Sequence, residues 1–443
     1  MLAVLILLLS LSPLFLFKLG QSSLSSFDEA WYAAISRNIL LSRDLLNLKF
    51  NGSPFADHPP AGFWLIAISQ TVFGISEFSA RFPSALLGLL CLVLIYLLGQ
   101  KLASQTVGFA SAFTLVSSPW FLLRARSGNL DITLTFFLLL TFYLAILSSK
   151  NSKYLIPLGV SFTLLLLTKT MVPFTVIPSL IIILWGSGLN LVFPLTLTFS
   201  VTLIWVIAQL LNYPDFIARY LSIGIPQSKT GTTIWENILL AKTYLHHGIG
   251  SIFRPAVLSL PFLIFLIKKA DFKYILSLAF FILVFLLPFA GSSRGQIWHL
   301  IPVFPFMILL FFIIFYSLLS FKSKLLAKIL TLTLALTISV PQITKNWSEF
   351  IDIPKFISDE AILSRKTSAF PYPLVIDENF LPSAVFYSGK NVIWNSSRDL
   401  STFKVNNQPT LAITHQWLLD QNTRYKNYEL LARDRDKVLI LLK

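Results

Sequence analysis

Two adjacent carboxylates, Asp28 and Glu29, are the residues of this chain best suited to acid–base chemistry. They lie in the segment SSFDEAWYAAISRNIL, directly after the first apolar stretch. Carboxylates are scarce here: the chain has 20 Asp and Glu residues, and only nine of them precede residue 341. A carboxylate at a helix start beside a bilayer faces water and is held rigidly, which suits a general base. Asp28 and Glu29 are therefore candidate catalytic residues.

A purely structural alternative exists for the same segment. Ser26 and Glu29 have the S-x-x-E spacing of a helix capping box, and caps are commoner than catalytic bases. In that case the helix is amphipathic and lies on the membrane surface through Trp31, Tyr32 and Ile35. The residues alone leave both interpretations open.

Basic residues and a further acid follow in later loops. His58 precedes Pro59-Pro60, which cannot lie inside a helix and therefore begin a new element. The simplest explanation of His58 is a solvated histidine beside two prolines that break a helix. Arg81 stands at a span end, where arginine either snorkels to headgroups or binds phosphate in bidentate fashion. Asp131 stands at the start of a span, where an N-cap is the default explanation. Lys169 lies in a very short turn between two apolar segments. The other candidates are Arg126 and the pair Arg294 and His299, which flank Trp298. Acids and bases gathered at one membrane interface suit a substrate with a phosphate headgroup and a lipid tail.

The elements that must position these residues are membrane helices. The chain has 443 residues, of which 55% are hydrophobic and 12% charged, whereas a soluble domain has about 25% charged residues. The net charge of +15 lies largely in short loops that set orientation, and without a separate basic domain it does not indicate nucleic-acid binding. The single cysteine, Cys91, excludes an intrachain disulfide and a thiolate metal cluster. Composition therefore predicts a mainly α, polytopic membrane protein.

Apolar runs predict about eleven transmembrane helices within a membrane domain of residues 1–340. The first span lacks the basic region and cleavage site of a signal peptide, so we expect it to be retained. A shorter run at 61–75 is expected to be interfacial or re-entrant, inside the loop 20–79. The expected spans are 2–19, 80–99, 105–123, 131–148, 154–168, 171–186, 190–210, 255–267, 274–290, 300–320 and 325–340.

Lysines predict the orientation of these spans. Short Lys-rich loops fall on one side, which we expect to be cytoplasmic. They contain Lys101, Lys150, Lys153, Lys268, Lys269, Lys273, Lys322, Lys324 and Lys328. The candidate site residues and everything after residue 340 then lie on the extracytoplasmic side of a cell membrane.

Residues 341–443 change in character and predict a small soluble, extracytoplasmic α/β domain. Short apolar runs alternate with polar turns, which is typical of strands. They are PLVID (373–377), NVIW (391–394), PTLAIT (409–414) and KVLILLK (437–443). LPSAVFYSG (381–389) is expected to be a helix ended by Gly389.

Several of these segments together resemble a known family. DEAWYAAISRNIL, HPPAGFWLIA and SEFSARFPSALLGLLCLVLIYLLGQKL, followed in order by SGNLDITLTFFLLL, LTKTMVPF and IWHLIPVFPFMILL, are similar to GT-C glycosyltransferases that use polyprenyl-phosphate sugars. Within that family they resemble the group of lipid A aminoarabinose transferases and protein O-mannosyltransferases. The resemblance covers residues ~24–310, and the ordered set is more specific than any single segment.

The resemblance implies a polytopic GT-C fold and an inverting sugar transfer from a polyprenyl phosphate to an acceptor hydroxyl on a lipid, glycan or protein. Asp28 then resembles the general base, and Glu29 a residue that orients it or binds the acceptor. Asp131 resembles the second acidic position of the family. The implied ligands of the donor phosphate are Arg81, Lys169, Arg294, His299 and His58.

One position departs from the aminoarabinose branch, which carries a lysine directly before the two prolines. This chain has Asp57-His58 there, so a fixed cation is missing. The departure argues against assigning aminoarabinose as the sugar. We expect no metal and no cofactor, because a monophosphate leaving group has little need of a divalent ion.

The main alternative is a lipid or glycolipid flippase or transporter. That class predicts internal repeats and broken helices at mid-membrane, and the sequence shows polar residues concentrated at one interface instead. A GT-C-like scaffold without activity is a third possibility, which the retained Asp28 and Glu29 disfavour.

Overall fold

The structure, a computed structural model, describes residues 2–186, 192–224, 232–267, 271–292, 295–397, 399–406, 408–421 and 427–443. Arg294, Lys268 and Lys269 lie outside these described residues. The chain divides into two compact units. The first comprises Met1–Lys18, Ala56–Gly62 and Pro83–Ile353, and the second Leu19–Phe55, Phe63–Phe82 and Pro354–Lys443.

Helices dominate the residues before 354. In chain order they are α1 (Leu2–Leu16), α2 (Asp28–Ser42), α3 (Ala61–Phe73), α4 (Glu77–Leu102), α5 (Gln105–Ser117), α6 (Pro119–Ala125), α7 (Asp131–Ser148), α8 (Leu155–Leu166) and α9 (Ile177–Leu184). They continue with α10 (Val192–Asn212), α11 (Phe216–Gly224), α12 (Ile234–Ile249), α13 (Phe253–Ser259), α14 (Phe272–Ala290), α15 (Phe304–Ser320) and α16 (Lys324–Asn346). Short 3₁₀ segments, among them Val172–Val176 and Ile297–Val303, link some of these helices.

The described part of the chain has seven helical stretches long and apolar enough to cross a membrane, and an eighth if α5 and α6 count as one span bent by 75°. Four shorter apolar helices lie at Val4–Leu16, Ala61–Phe73, Ser152–Leu166 and Val172–Leu184. Every span predicted from the sequence overlaps one of these stretches, and the run at 61–75 is the short helix α3. The predicted mainly α, polytopic fold class is confirmed.

The bend between α5 and α6 has a local cause at Ser118. This residue is followed by Pro119 at the first position of α6, where proline is tolerated because its missing N–H would be unpaired anyway. The Ser118 hydroxyl accepts the N–H of Phe121 at 3.3 Å and donates to the Gly248 carbonyl at 2.7 Å. The cap therefore starts a new helix direction and fixes the chain that leads to residues 124–131.

The second unit contains a five-stranded sheet. Its C-terminal elements are α17 (Asp359–Thr367), β3 (Leu374–Ile376), α18 (Leu381–Ser388), β4 (Val392–Trp394), β5 (Thr410–His415), α19 (Gln416–Gln421), β6 (Tyr428–Asp434) and β7 (Lys437–Leu442), and a hairpin of β1 (Lys49–Phe50) and β2 (Ser53–Pro54) comes earlier in the chain. The strand order is β4-β3-β5-β7-β6. β3 pairs in parallel with β4 and β5, and β7 pairs antiparallel with β5 and β6. The small α/β domain predicted after residue 340 is confirmed.

Alternation along β3 explains how both faces of this sheet are covered. Leu374 and Ile376 belong to one apolar cluster and Val375 to another, as expected from the two-residue period of a strand. Gly389 ends α18 with φ of 70°, a left-handed conformation that glycine adopts at little cost. The helix 381–389 was predicted with this glycine as its end.

The boundary predicted at residue 340 differs from the observed one. Helix α16 continues past it to Asn346, because buried contacts with α5 hold its last turns. The Asn346 amide donates to the Ser117 carbonyl at 3.0 Å, and Ser339 donates to Thr114 at 3.4 Å. The change in composition at residue 341 therefore precedes the structural boundary, which falls after Ile353.

One face of helix α2 is buried within the second unit. Ile35 is fully buried, and Tyr32 stacks edge-on against Phe63 with ring centroids 5.3 Å apart. Trp31 contacts Phe50 and Phe55. The alternative in which Trp31, Tyr32 and Ile35 lie on a membrane surface is therefore wrong, because these side chains pack into a protein core.

Candidate functional site

A buried ionic cluster in the first unit centres on Asp131. Lys169 Nζ lies 2.6 Å from Asp131 Oδ1, and Arg124 Nη2 lies 2.6 Å from Oδ2. The Asp131 side chain is 2% exposed, and each cationic side chain 13%. Two cations share one anion, so the three side chains carry a net positive charge in a poorly solvated place. Such a cluster favours a further anion.

Asn129 sets the geometry of this cluster. Its Oδ1 accepts the N–H groups of Asp131 at 2.9 Å and Ile132 at 3.3 Å, and its amide nitrogen donates to the Arg124 carbonyl. Asn129 thus supplies the N-terminal cap of α7. The simple explanation of Asp131 as an N-cap is wrong, since the Asp131 carboxylate binds Lys169 and Arg124 instead.

The loop holding His58 is fixed to the turn holding Lys169. The N–H of Ala61, the first residue of α3, donates to the Leu167 carbonyl at 2.9 Å. Pro59 and Pro60 end the loop and α3 begins after them, as predicted. His58 thereby lies within electrostatic range of Lys169 and Asp131.

His299 belongs to the same cluster. Its ring is within electrostatic range of Lys169, Asp131 and Arg124, and the Arg124 guanidinium lies 5.5 Å from the Trp298 ring centroid. The His299 Nδ1 accepts the N–H of Gln296 at 3.3 Å. In the neutral ring the proton is therefore on Nε2, which makes Nε2–H a hydrogen-bond donor.

His58 gives a testable pH dependence. Burial, reinforced by the nearby Lys169 charge, lowers the pKa of His58 from its ordinary 6.5 to about 3. The unfolded chain therefore binds a proton that the folded chain does not between these values, and stability falls as the pH drops through that window. We expect the melting temperature of His58→Gln to fall less than that of wild type when the pH is lowered from 7.5 to 4.5.

The measurement is the apparent melting temperature of detergent-purified protein at the two pH values. His247→Gln, which changes an exposed histidine on α12, is the matched control and should behave as wild type. An equal acid-induced loss of melting temperature in wild type and His58→Gln would contradict a neutral His58 in the folded protein.

A second ionic group lies in the second unit and joins Glu29 to Arg81. The Glu29 carboxylate accepts from Arg81 Nε at 2.8 Å and Nη2 at 3.0 Å, and also from the Ser25 N–H at 2.9 Å. The predicted capping box between Ser26 and Glu29 is therefore wrong: Ser26 makes no cap hydrogen bond at the start of α2. Glu29 is 6% exposed and Arg81 8% exposed, so the pair is desolvated.

Arg81 uses all five of its N–H donors within the protein. Besides Glu29, it donates to the carbonyls of Leu19 at 3.0 Å, Ser22 at 2.8 Å and Ser23 at 2.9 Å. Guanidinium has five such donors, and each is engaged. A phosphate bound here would have to displace the carbonyls that Arg81 holds, so direct phosphate binding by Arg81 stays a prediction that must overcome these contacts. These contacts tie Arg81 to the segment before α2.

Asp28 is the first residue of α2 and is half-buried. A negative side chain in the first helical turn is favoured by the helix dipole. The segment that precedes it is the one clamped by Arg81, so the position of Asp28 depends on the contacts of residues 19–27.

The predicted site residues thus fall into two groups. Asp131, Lys169, His58 and His299 lie together in the first unit, and Asp28, Glu29 and Arg81 lie in the second. Arg126 binds the carbonyls of Leu14 and Phe17 at the end of α1. Arg294 lies outside the described residues.

Arg124 is the cluster residue that sequence reasoning missed. The segment RARSGNLD offers two arginines, and only Arg126 was singled out. Arg124 lies in the last turn of α6, whereas Arg126 follows the helix. A predicted break at Ser118-Pro119 would have separated the two, because it places residue 124 on a short helix of its own.

Comparisons with known proteins agree with this fold. Residues 57–211 match the family model described as dolichyl-phosphate-mannose-protein mannosyltransferase. The undecaprenyl phosphate-alpha-4-amino-4-deoxy-L-arabinose arabinosyl transferase of Pseudomonas savastanoi pv. phaseolicola is 38% identical over 128 residues, which cover 29% of this chain and 24% of that protein. An uncharacterised protein of Aquifex aeolicus (strain VF5) is 28% identical over 186 residues, with 37% of each chain covered. The matched part therefore covers 37% of the length of the Aquifex protein and 24% of the length of the Pseudomonas protein.

Two solved structures share the fold over most of this chain. ArnT from Cupriavidus metallidurans, bound to undecaprenyl phosphate, matches with a TM-score of 0.74 at 15% identity and covers 99% of this chain and 98% of its own. The archaeal oligosaccharyltransferase AglB from Archaeoglobus fulgidus matches with a TM-score of 0.57 at 14% identity, covering 93% and 69%. The resemblance predicted from the sequence segments is confirmed, and the chain has the GT-C fold.

Proposed function

We propose that this chain, which has the GT-C fold, transfers a sugar from a polyprenyl-phosphate donor to an acceptor hydroxyl. The observation that carries the proposal is the buried cluster of Asp131, Lys169 and Arg124, whose net positive charge suits a phosphate. The fold it occurs in is shared with a protein solved with undecaprenyl phosphate bound.

The proposed reaction is a single inverting displacement. The acceptor oxygen attacks the anomeric carbon, the bond from that carbon to the phosphate oxygen breaks, and Asp28 takes the hydroxyl proton. Polyprenyl phosphate leaves with the bonding electrons. Lys169 and Arg124 stabilise the charge that builds on the leaving phosphate, and His299 Nε2–H is a further donor.

The remaining residues support these. Asp131 orients Lys169 and Arg124, while Glu29 acts through Arg81 on the segment before Asp28. His58 contributes a neutral ring to the donor site, and Arg294 remains a candidate phosphate ligand from the sequence motif. We place the site on the extracytoplasmic side of the cell membrane, following the lysine distribution of the loops.

The sugar class is part of the proposal. Relatives named as aminoarabinose transferases indicate a pentose, and the mannosyltransferase family model indicates a hexose. Asp57-His58 replaces the acidic–lysine pair of the aminoarabinose branch, and Asp57 pairs with Arg219 at 3.1 Å. We therefore propose a hexosyl or pentosyl transferase whose acceptor is a lipid, a glycan or a protein.

Mass spectrometry tests this function. Glycolipids and glycoproteins are compared in cells that contain the protein, lack it, or contain Asp28→Asn. We expect one glycosylated species to be present only with the wild-type protein. Identical profiles in all three strains would refute the transferase assignment.

Arg81→Lys separates a structural role of Arg81 from direct phosphate binding. Lysine cannot reproduce the bidentate contact with Glu29 or reach three carbonyls. We therefore expect a lower melting temperature and a free energy of unfolding that is lower by about 2 kcal/mol. Undecaprenyl phosphate binding by the folded fraction should be unchanged, measured by titration of detergent-purified protein. Weaker binding without a change in melting temperature would restore Arg81 as a phosphate ligand.

A further inference from the structure

The C-terminal domain packs against α2 and against the segment that leads into it. The apolar part is built from small residues of α2, Ala30, Ala33 and Ala34, which pack in one buried cluster with Phe386 and Tyr387 of α18. Alanines permit close approach of the two helices because they have no side chain beyond Cβ. All these residues belong to the second unit.

Tyr387 adds a polar contact at the centre of this cluster. Its hydroxyl accepts the N–H of Leu24 at 2.7 Å and donates to Glu77 at 3.2 Å. Burial raises the pKa of the Tyr387 hydroxyl above its ordinary range, so the oxygen keeps the proton that it donates. Arg365 pairs with Glu77, and its guanidinium lies 4.6 Å from the Tyr387 ring centroid.

The chain on either side of Leu24 is held as well. The N–H of Ser23 donates to the Phe356 carbonyl at 2.9 Å, and the N–H of Ser358 donates to the Ser23 hydroxyl at 3.0 Å. Further along α2, Arg37 Nη1 donates to the Phe386 carbonyl at 2.9 Å. Arg81 donates hydrogen bonds to three carbonyls of the same segment. Residues 19–27 are thus fixed by backbone and side-chain contacts from two directions.

We propose that the C-terminal domain positions the catalytic base, and that Tyr387 is the positioning residue through which it fixes the segment leading to Asp28. The inference rests on the proposed function and gives the domain a role in it. Tyr387 itself touches no reacting atom. It acts on Leu24, four residues before Asp28, where a small displacement of the backbone moves the carboxylate.

Tyr387→Phe tests the inference because it removes only the hydroxyl and leaves the ring beside Arg365. The control is Tyr428→Phe in β6, which removes a hydroxyl from the same domain away from α2. Hydrogen–deuterium exchange of the full-length protein in detergent is the first measurement. We expect exchange at residues 22–30 to be about fivefold faster in Tyr387→Phe, because the Leu24 N–H loses its acceptor.

The second measurement compares chemistry with binding. Product formed in cells should fall about tenfold or more in Tyr387→Phe, since a misplaced base is costly. The affinity for undecaprenyl phosphate should match that of Tyr428→Phe, while the melting temperature falls only slightly, because two hydrogen bonds of one hydroxyl are lost. A parallel loss of binding, melting temperature and product would show a merely structural residue and overturn the inference.

The exchange measurement needs no substrate, so the two proposals fail separately. Unchanged exchange at residues 22–30 in Tyr387→Phe overturns the positioning role whatever reaction the protein performs. Absence of any wild-type product overturns the proposed function, and with it the assignment of Asp28 as the base that is positioned.

Discussion

Replacing Asp28 with asparagine is expected to stop sugar transfer while leaving the protein folded. The amide has the shape of the carboxylate but cannot take the acceptor proton, and loss of a general base lowers a rate by about 10²–10⁴-fold. The helix loses one favourable charge in its first turn, which costs only about 0.3–1 kcal/mol. The measurement is the amount of glycosylated product per molecule of membrane-inserted protein.

Asp44→Asn is the matched control for that experiment. Asp44 lies after α2 in the same unit, and its carboxylate accepts the N–H groups of Leu46 and Asn47, a role that an amide oxygen can also fill. Product should be normal in this variant. Full transfer by Asp28→Asn, with the protein expressed at the normal level, would end the assignment of Asp28 as the base.

Asp131→Asn is expected to be the most destabilising of the substitutions considered. It leaves Lys169 and Arg124 side by side without the carboxylate that each contacts at 2.6 Å. Breaking a buried ion pair by removing one partner costs about 3–5 kcal/mol, because the remaining charge stays desolvated. We expect a marked fall in melting temperature and loss of transfer even from the fraction that remains folded.

Two comparisons make this prediction specific. Asp271→Asn removes the acid of an exposed pair with Lys150, 3.3 Å apart, and should change stability by less than about 1 kcal/mol. Adding Lys169→Met to Asp131→Asn removes one of the two stranded cations. The double variant should then lose less stability than the sum of the losses measured for the two single variants. Strict additivity would contradict direct coupling of Asp131 and Lys169.

Strands and spans were predictable where a local pattern determined them. The runs at 373–377, 391–394, 409–414 and 437–443 became β3, β4, β5 and β7, because apolar strands between turns have few alternatives. Strand β6 was missed. Its sequence YELLARD has a short apolar centre between charged residues, and at the sheet edge each of its residues is half-buried or exposed.

The sequence predicted which residues belong to the candidate site better than it predicted which side chains contact each other. Asp131 and Lys169 were both singled out, but nothing in the sequence says that their carboxylate and ammonium groups meet across 38 residues. Arg81 shows the opposite limit. Its position at a span end suggested a phosphate ligand, whereas its partners are carbonyls more than fifty residues earlier in the chain. Long-range hydrogen bonds of this kind leave no local signature.

The pairing of Leu24 with Tyr387, 363 residues apart, constrains how the molecule matures. During synthesis the segment before α2 emerges long before α17 and α18. Contacts across so long a loop form late, since closing it is entropically costly and slow. Until α18 has been synthesised, the segment before α2 therefore lacks the contact with Tyr387 that we propose positions Asp28.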